Sequence, residues 1–372
     1  MKKIILTILL LLCYLISFAD VTDTELRKQI AQMIITGFNG TEITQDNPIY
    51  DDIKNENISG VILFSKDALK IKNKEKDITK NIKSPKQLKK LIKQIKKISP
   101  QKLFICIDQE GGRISRLPSS MGFKADTLSH KQLGEKDNLK LTYKQAKKIA
   151  KNLKKFGINV NFAPCVDLAI NKESDIIYKT ERSFSENTIT VIKHSQEYIK
   201  AHNKYNILTV AKHFPGHGSA IGDSHKGFTD VSLTWNKTEL EPYIALNKDG
   251  LLNAVMIAHV FNENLDEKYP ATLSEKIITG MLKNEIGFEG LVITDDIQMK
   301  AISDNYTLED SIIAAINAGN DILLFANNIK NDKNIAKEFN DIVFDAVKSG
   351  KILPETIEKA YKKIIKIKSG LK

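Results

Sequence analysis

The chain has 372 residues, 42% of them apolar and 27% charged, with a formal net charge of +11. This is ordinary globular composition; length alone would suggest two domains, but a barrel of alternating strands and helices reaches this size as one. The three cysteines show no metal-type spacing, and the lysine excess lacks the interleaved aromatics of a nucleic-acid binder, so both of those classes are set aside.

The first residues read as an address. Lys2 and Lys3 precede an apolar run from Ile4 to Ile16, and Ser17-Phe18-Ala19 offers small residues where a signal peptidase reads. The expectation is a secretory signal over residues 1–19 and an exported chain over 20–372, periplasmic or secreted. It would have no stable membrane span after cleavage, the run being too short and wrongly flanked for one. Leu10-Leu11-Leu12 before Cys13 lacks the small residue of a lipoprotein signal. Loss of Lys2 and Lys3 lowers the net charge from +11 to +9. The excess lies in the lysine-rich stretches 66–97, 144–155 and 351–372, read as solvated faces with a loose preference for an anionic polymer or envelope surface. Cys106 and Cys165 end apolar strands; a disulfide and two buried thiols both remain open.

In chain order, Asp23 is positioned to cap a helix over Thr24–Met33, which leads into the apolar run Ile34–Phe38. Ile58–Phe64 is the next strand, followed by a helix over Pro85–Ile98 with Leu88, Leu91, Ile92 and Ile95 at helical spacing. Strand Leu103–Ile107, helix Leu141–Phe156, strand Val160–Ala163, helix Asn187–Tyr205 and strand Ile207–Ala211 follow. Helix Leu240–Lys248 precedes strand Ala254–Ala258, and Ser274 caps a helix to Glu285 before strand Leu291–Thr294. Helix Leu308–Asn317 ends at Gly319, ahead of the last strand, Asp321–Phe325. Helices Lys333–Ser349 and Pro354–Lys368 close the chain. Eight apolar strands without polar alternation imply a parallel sheet buried on both faces. The fold class is α/β, a single (β/α)8 barrel. An open doubly wound sheet is disfavoured because no Gly-rich dinucleotide fingerprint follows the early strands.

Polar residues then fall at successive strand ends. Asp108 follows the third strand, Asp167 and later Arg182 the fourth, Lys212 and His213 the fifth, His259 the sixth, Asp295 and Asp296 the seventh, and Asn327 the eighth. In a barrel these ends share one rim, where catalysis sits. Asp295, at the end of a buried strand, is placed to be a nucleophile. Asp296 points the other way and reads as structural. After the fifth strand, Asp223 and His225 at i and i+2 form a carboxylate–imidazole pair suited to proton transfer. Asp108, Arg116, Arg182, Lys212 and His213 supply the directional contacts of a polar, sugar-like ligand. A zinc site from His213, His217, His225 and His259 is disfavoured, since Pro215-Gly216 separates the first two. No metal and no cofactor are expected.

Four motifs then match a known family. Lys212-His-Phe-Pro-Gly-His-Gly218 followed by Asp223-Ser-His225, Asp108-Gln-Glu-Gly-Gly-Arg-Ile-Ser-Arg116, Glu181-Arg-Ser-Phe-Ser185 and Ile293-Thr-Asp-Asp296 resemble the signature of bacterial β-N-acetylhexosaminidases of glycoside hydrolase family 3. The likeness runs over residues 25–330 and implies a (β/α)8 barrel. It implies Asp295 as nucleophile, His225 as acid/base and Asp223 as its partner. Asp108, Arg116, Arg182, Lys212 and His213 would bind the N-acetylglucosamine unit. The implied activity is retaining removal of terminal N-acetylglucosamine from peptidoglycan fragments, muropeptides or related glycans, by a monomer without cofactor. Many members with this loop act in the cytosol, so an exported chain departs from them. The expectation is a site built within one chain and one domain, without the extra C-terminal domain of many family β-glucosidases. The rival readings are a β-glucosidase, a glycoside phosphorylase and a catalytically silent glycan-binding protein of the envelope.

Overall fold

The structure, a computed structural model, describes residues 22–222 and 227–371. The leader expected over residues 1–19 lies outside the described residues, as do Asp223 and His225. Eight strand positions make a parallel barrel: β1 (Ile34–Gly37), β2 (Gly60–Ile62), β3 (Phe104–Ile107), β4 (Val160–Asn161), a fifth in two pieces, β5 (Leu208–Thr209) and β6 (Ala211–Phe214), then β7 (Ala254–Ile257), β8 (Leu291–Asp296) and β9 (Ile322–Phe325). Successive positions pair in parallel and β9 returns to β1, with Ile34 opposite Leu323. The expected (β/α)8 barrel is therefore the fold observed.

The fifth position departs from the expectation. The apolar pattern implies one run, Ile207–Ala211, but the ladder breaks at Val210 and continues to Phe214. At the break Ala163 N–H turns to the Asn161 carbonyl at 2.8 Å and Val210 N–H is shared between the Asn161 and Ala163 carbonyls, so β4–β5 pairing stops at Asn161–Thr209 and resumes as a bridge between Cys165 and Lys212. The extension carries Lys212 and His213 inside the strand rather than beyond it.

Helices α1 (Asp23–Ala31), α2 (Pro85–Ile98), α3 (Leu139–Phe156), α4 (Thr188–Asn203), α5 (Glu241–Lys248), α6 (Leu308–Ala318), α7 (Ile335–Lys348) and α8 (Pro354–Gly370) are joined by a π-helical segment, Lys276–Glu285. α2 shows why these segments form: Ser84 caps it by accepting from the Gln87 N–H at 3.3 Å, Pro85 opens it, and Leu88, Leu91, Ile92 and Ile95 are its buried face. The cap of α1 is Thr22, whose hydroxyl accepts from the Glu25 N–H at 3.2 Å; Asp23, expected in that role, is the first helical residue and faces the positive end of the helix dipole instead. Ser274 does cap its segment, accepting from the Ile277 N–H at 3.2 Å. A short helix, His130–Lys136, had no apolar stripe long enough to announce it. One continuous apolar core runs from Leu26 to Ile364. Cys106 and Cys165 are buried free thiols. Among the described residues no helix is long and apolar enough to cross a membrane.

Two lysines leave the solvated faces assigned to them. Lys80 is buried at the rim, where its ammonium pairs with Asp67 at 3.3 Å and donates to Asn39 Oδ1 at 2.6 Å and to the Asn327 carbonyl. Lys368, on α8, turns inward to Gln32 Oε1 at 2.6 Å and lies 5.0 Å from the Phe104 ring. Burial lowers its pKa from 10.5 to about 7. Between those values the unfolded chain holds the proton and the folded chain does not, so stability rises with pH across that window and is lost as pH falls through 7. Lys368→Met is expected to flatten that rise and to stabilise the protein at pH 7. Unfolding midpoints of both proteins at neutral and alkaline pH check it; parallel curves would refute it.

Candidate active site

The rim formed by the strand C-termini surrounds a cavity of about 350 Å³, near the lower end of small-molecule sites. Asp108, Arg116, Arg182, Lys212, His213 and Asp295 all line it, so the structure brings together every predicted site residue that lies within the described region. Asp295 ends β8 half-buried, and its Oδ1 accepts from the Asp296 N–H at 2.8 Å. Asp296 also borders the cavity, while its Oδ1 serves the backbone, accepting from Ala326 N–H at 3.0 Å and Gln298 N–H at 3.1 Å.

The polar wall is an alternating chain of charges. Lys212 Nζ lies 2.9 Å from Asp108 Oδ1 and 2.8 Å from Glu110 Oε1. Arg182 grips Glu110 with two nitrogens, Nη2 to Oε1 at 2.8 Å and Nε to Oε2 at 3.0 Å, the bidentate geometry a guanidinium favours. Arg116 Nη2 stands 3.5 Å from the other oxygen of Asp108, with its guanidinium 5.6 Å from the Phe64 ring centre. Glu110 is the site residue that sequence reasoning passes over. It sits inside the Asp108–Arg116 motif, two residues from Asp108 and hence able to share its side, and that spacing is the available signal. Gln109, between them, points away and holds the turn: its Oε1 accepts from Arg116 N–H at 2.9 Å and Leu117 N–H at 3.1 Å. Gly112 makes the turn possible, with φ +53 and no room for a Cβ, which would meet Ser129 Cβ at 2.4 Å.

Behind this wall His213 is fixed on both sides. Arg182 Nη2, which can only donate, lies 3.1 Å from His213 Nε2, so Nε2 is the acceptor and Nδ1 carries the proton. Nδ1 faces Asp167 Oδ2 at 2.7 Å, and Asp167 Oδ1 also accepts from the His217 N–H at 2.8 Å. Asp167 thus orients a histidine that in turn supports Arg182. Of the remaining rim residues, His259 faces Thr272 Oγ1 at 2.6 Å and the Asp296 carbonyl at 2.9 Å. The Asn327 amide meets Gln298 at 2.9 Å and Gly37 O at 3.0 Å, and neither residue lines the cavity.

Electrostatics keeps the wall ionised. Burial opposes charge on Lys212, but Asp108 and Glu110 outweigh it and raise its pKa. Burial likewise opposes charge on Asp108 and Glu110; Lys212 with Arg116, and Arg182 with Lys212, hold them below the usual carboxylate range. Asp167 is held far below that range, against burial, by the hydrogen bond it accepts from His213 Nδ1–H. Burial pushes the His217 imidazole down to about 4, so it is neutral near pH 7. As for a metal, ligand atoms of Cys165, Asp167 and His213 cluster within 4.8 Å, but they already satisfy one another, Cys165 Sγ lying 3.1 Å from Asp167 Oδ2. The arrangement offers ionised carboxylates to accept from hydroxyls, fixed cations to donate, and Asp295 beside them. That is equipment for binding a polyhydroxylated ligand beside a further carboxylate at the mouth of the cavity.

The profile of the glycosyl hydrolase family 3 N-terminal domain matches residues 25–367. The chain belongs to glycosyl hydrolase family 3. Within the family it is 34% identical over 287 residues to β-hexosaminidase A of Pseudoalteromonas piscicida, covering 72% of this chain and 48% of that protein. It is 30% identical over 243 residues to a β-hexosaminidase of Photobacterium profundum, covering 65% of this chain and 71% of that one. A family 3 β-N-acetylglucosaminidase from Paenibacillus sp. str. FPU-7 superimposes with a TM-score of 0.81 at 29% identity, over 92% of this chain and 62% of that one. The chain thus spans about half of the first relative and under two thirds of the third. The family resemblance inferred from the four motifs is borne out.

Proposed function

We propose that this family 3 protein is a retaining exo-β-N-acetylglucosaminidase, acting outside the cytoplasm on terminal N-acetylglucosamine of peptidoglycan fragments or related glycans. The observation that carries the reading is Asp295 on the rim of the same cavity as the Asp108–Lys212–Glu110–Arg182 wall. The naming of the relatives as β-hexosaminidases supports the sugar, and the leader pattern of residues 1–19 supports export.

In this reading a carboxylate oxygen of Asp295 attacks the anomeric carbon while the bond from that carbon to the leaving oxygen breaks. His225, the acid/base by its motif, gives its proton to the leaving oxygen. Water then attacks the same carbon, yields its proton to His225, and releases Asp295 with the original configuration restored. The wall binds and orients the sugar hydroxyls, and Arg182 is held in place through His213 and Asp167. An imidazole acid/base adds no negative charge beside Asp295 and an acidic muropeptide, which gives the histidine a physical rationale. The test is hydrolysis of nitrophenyl β-glycosides of N-acetylglucosamine and glucose, with and without phosphate. Selective release from the first is expected. Preference for glucose, a sugar phosphate product, or no release would point to the β-glucosidase, the phosphorylase or the silent binder, respectively.

A further inference from the structure

The segment that carries Asp223 and His225 in sequence leaves the barrel at Pro215 and returns at Trp235, and its two limbs are tied together at the base. Glu239 follows the returning limb on a short 3-10 turn, Lys237–Leu240, capped by Asn236 at 3.0 Å from the Thr238 N–H. It is 1% exposed, an unusual place for an acid. Its Oε2 accepts from the Gly218 N–H at 2.9 Å, on the outgoing limb. The side chain also fills the space a Cβ on Gly216 would need: such an atom would meet Glu239 Cβ at 2.6 Å and Oε2 at 2.7 Å, at a φ of +128. Trp235 adds a second tie, its Nε1–H donating to the Pro215 carbonyl at 3.1 Å.

The outgoing limb is fixed from its other side as well. Asp167 Oδ1 accepts from the His217 N–H at 2.8 Å, Asn171 N–H donates to Gly218 O at 3.1 Å, and Asn171 Nδ2 donates to Ala220 O at 3.0 Å. Glu239 is thereby tied into the same frame that orients His213.

We propose that Glu239 is a positioning residue for the acid/base segment, tying its returning limb to its outgoing limb so that the histidine it carries reaches the leaving group. The proposal rests on the reading of His225 as acid/base. Keeping an acid here is costly: burial pushes its carboxyl up to about 7, with the nearby Asp167 charge adding to the rise and the Gly218 N–H opposing it. An apolar side chain would avoid that cost but would leave the Gly218 N–H without its partner.

The test uses the full chain in three variants, Glu239→Ala, Glu239→Gln and Trp235→Phe, with two readouts. The first is cleavage by trypsin after Lys226, followed by mass spectrometry, which reports the tie without any need for activity. Faster cleavage in Glu239→Ala is expected, with Glu239→Gln close to wild type because its amide oxygen still accepts from Gly218. The second is kcat/KM on phenyl and dinitrophenyl β-N-acetylglucosaminides. A dinitrophenyl group leaves without a proton, so Glu239→Ala is expected to lose about 10- to 100-fold on the phenyl substrate and no more than about threefold on the other. Equal losses on the two substrates, or unchanged cleavage after Lys226, would overturn the proposal. Should Glu239→Ala not fold, Trp235→Phe decides by the same comparisons. A wild-type protein inactive on both substrates would reject the enzymatic reading instead, and the trypsin comparison would still test the tie.

Discussion

Asp295→Ala is expected to lower turnover of nitrophenyl β-N-acetylglucosaminide by about 10⁴-fold or more while the protein stays folded. The magnitude follows from the proposed role: a nucleophile that forms a covalent intermediate cannot be replaced by Ala without closing the two-step route. Folding should survive because Asp295 is only half-buried at the mouth of the cavity, where water can replace the lost contacts. Its neighbour provides the contrast. Asp296→Ala removes the acceptor for the Ala326 and Gln298 N–H groups, so its effect should fall mainly on stability. Steady-state rates and unfolding midpoints of the two variants check both halves. Undiminished turnover in Asp295→Ala would mean that another residue is the nucleophile.

Glu110→Ala should have the largest effect on stability of any single change in the site, about 3–5 kcal/mol. The Glu110 side chain is 2% exposed and is shared by Arg182 and Lys212, themselves 10% and 3% exposed. Its removal leaves cationic charge buried without its counter-charge, the costly way to break such a network. Replacing Arg182 with Met in the same chain removes one of the stranded cations, so the double variant should regain part of the loss. Asp108→Ala is the milder case, since that side chain is 16% exposed; it should reduce activity more than stability. Urea unfolding of the single and double variants measures each term. A Glu110→Ala protein as stable as wild type would show that the buried network contributes no net stability.

The barrel was legible because its strands are short apolar runs without alternation, and burial on both faces is a demand that residue type alone records. Helices such as α2 were legible because a cap, a leading proline and a regular apolar stripe are all local in sequence. The rim residues could be listed for the same reason: strand ends are local features, and the barrel rule says where they meet. What local pattern could not supply was pairing across the barrel. Glu110 looked like one more polar residue in a turn until Arg182, 72 positions away, was found gripping it. Asp167 looked like a loop acid until His213 and His217 converged on it. Lys80 and Lys368 read as solvated charges because nothing nearby in sequence marks the Asp67 carboxylate or the Gln32 amide that receives them.

The sequence by itself determined the fold class, the rim, and the chemical types gathered there, since these follow from burial periodicity and from residues adjacent in the chain. Only the tertiary structure decided which charge faces which, which histidine nitrogen carries the proton, and which acid lies against the loop base. Those are set by distances of about 3 Å between residues tens of positions apart, and no one-dimensional pattern encodes them.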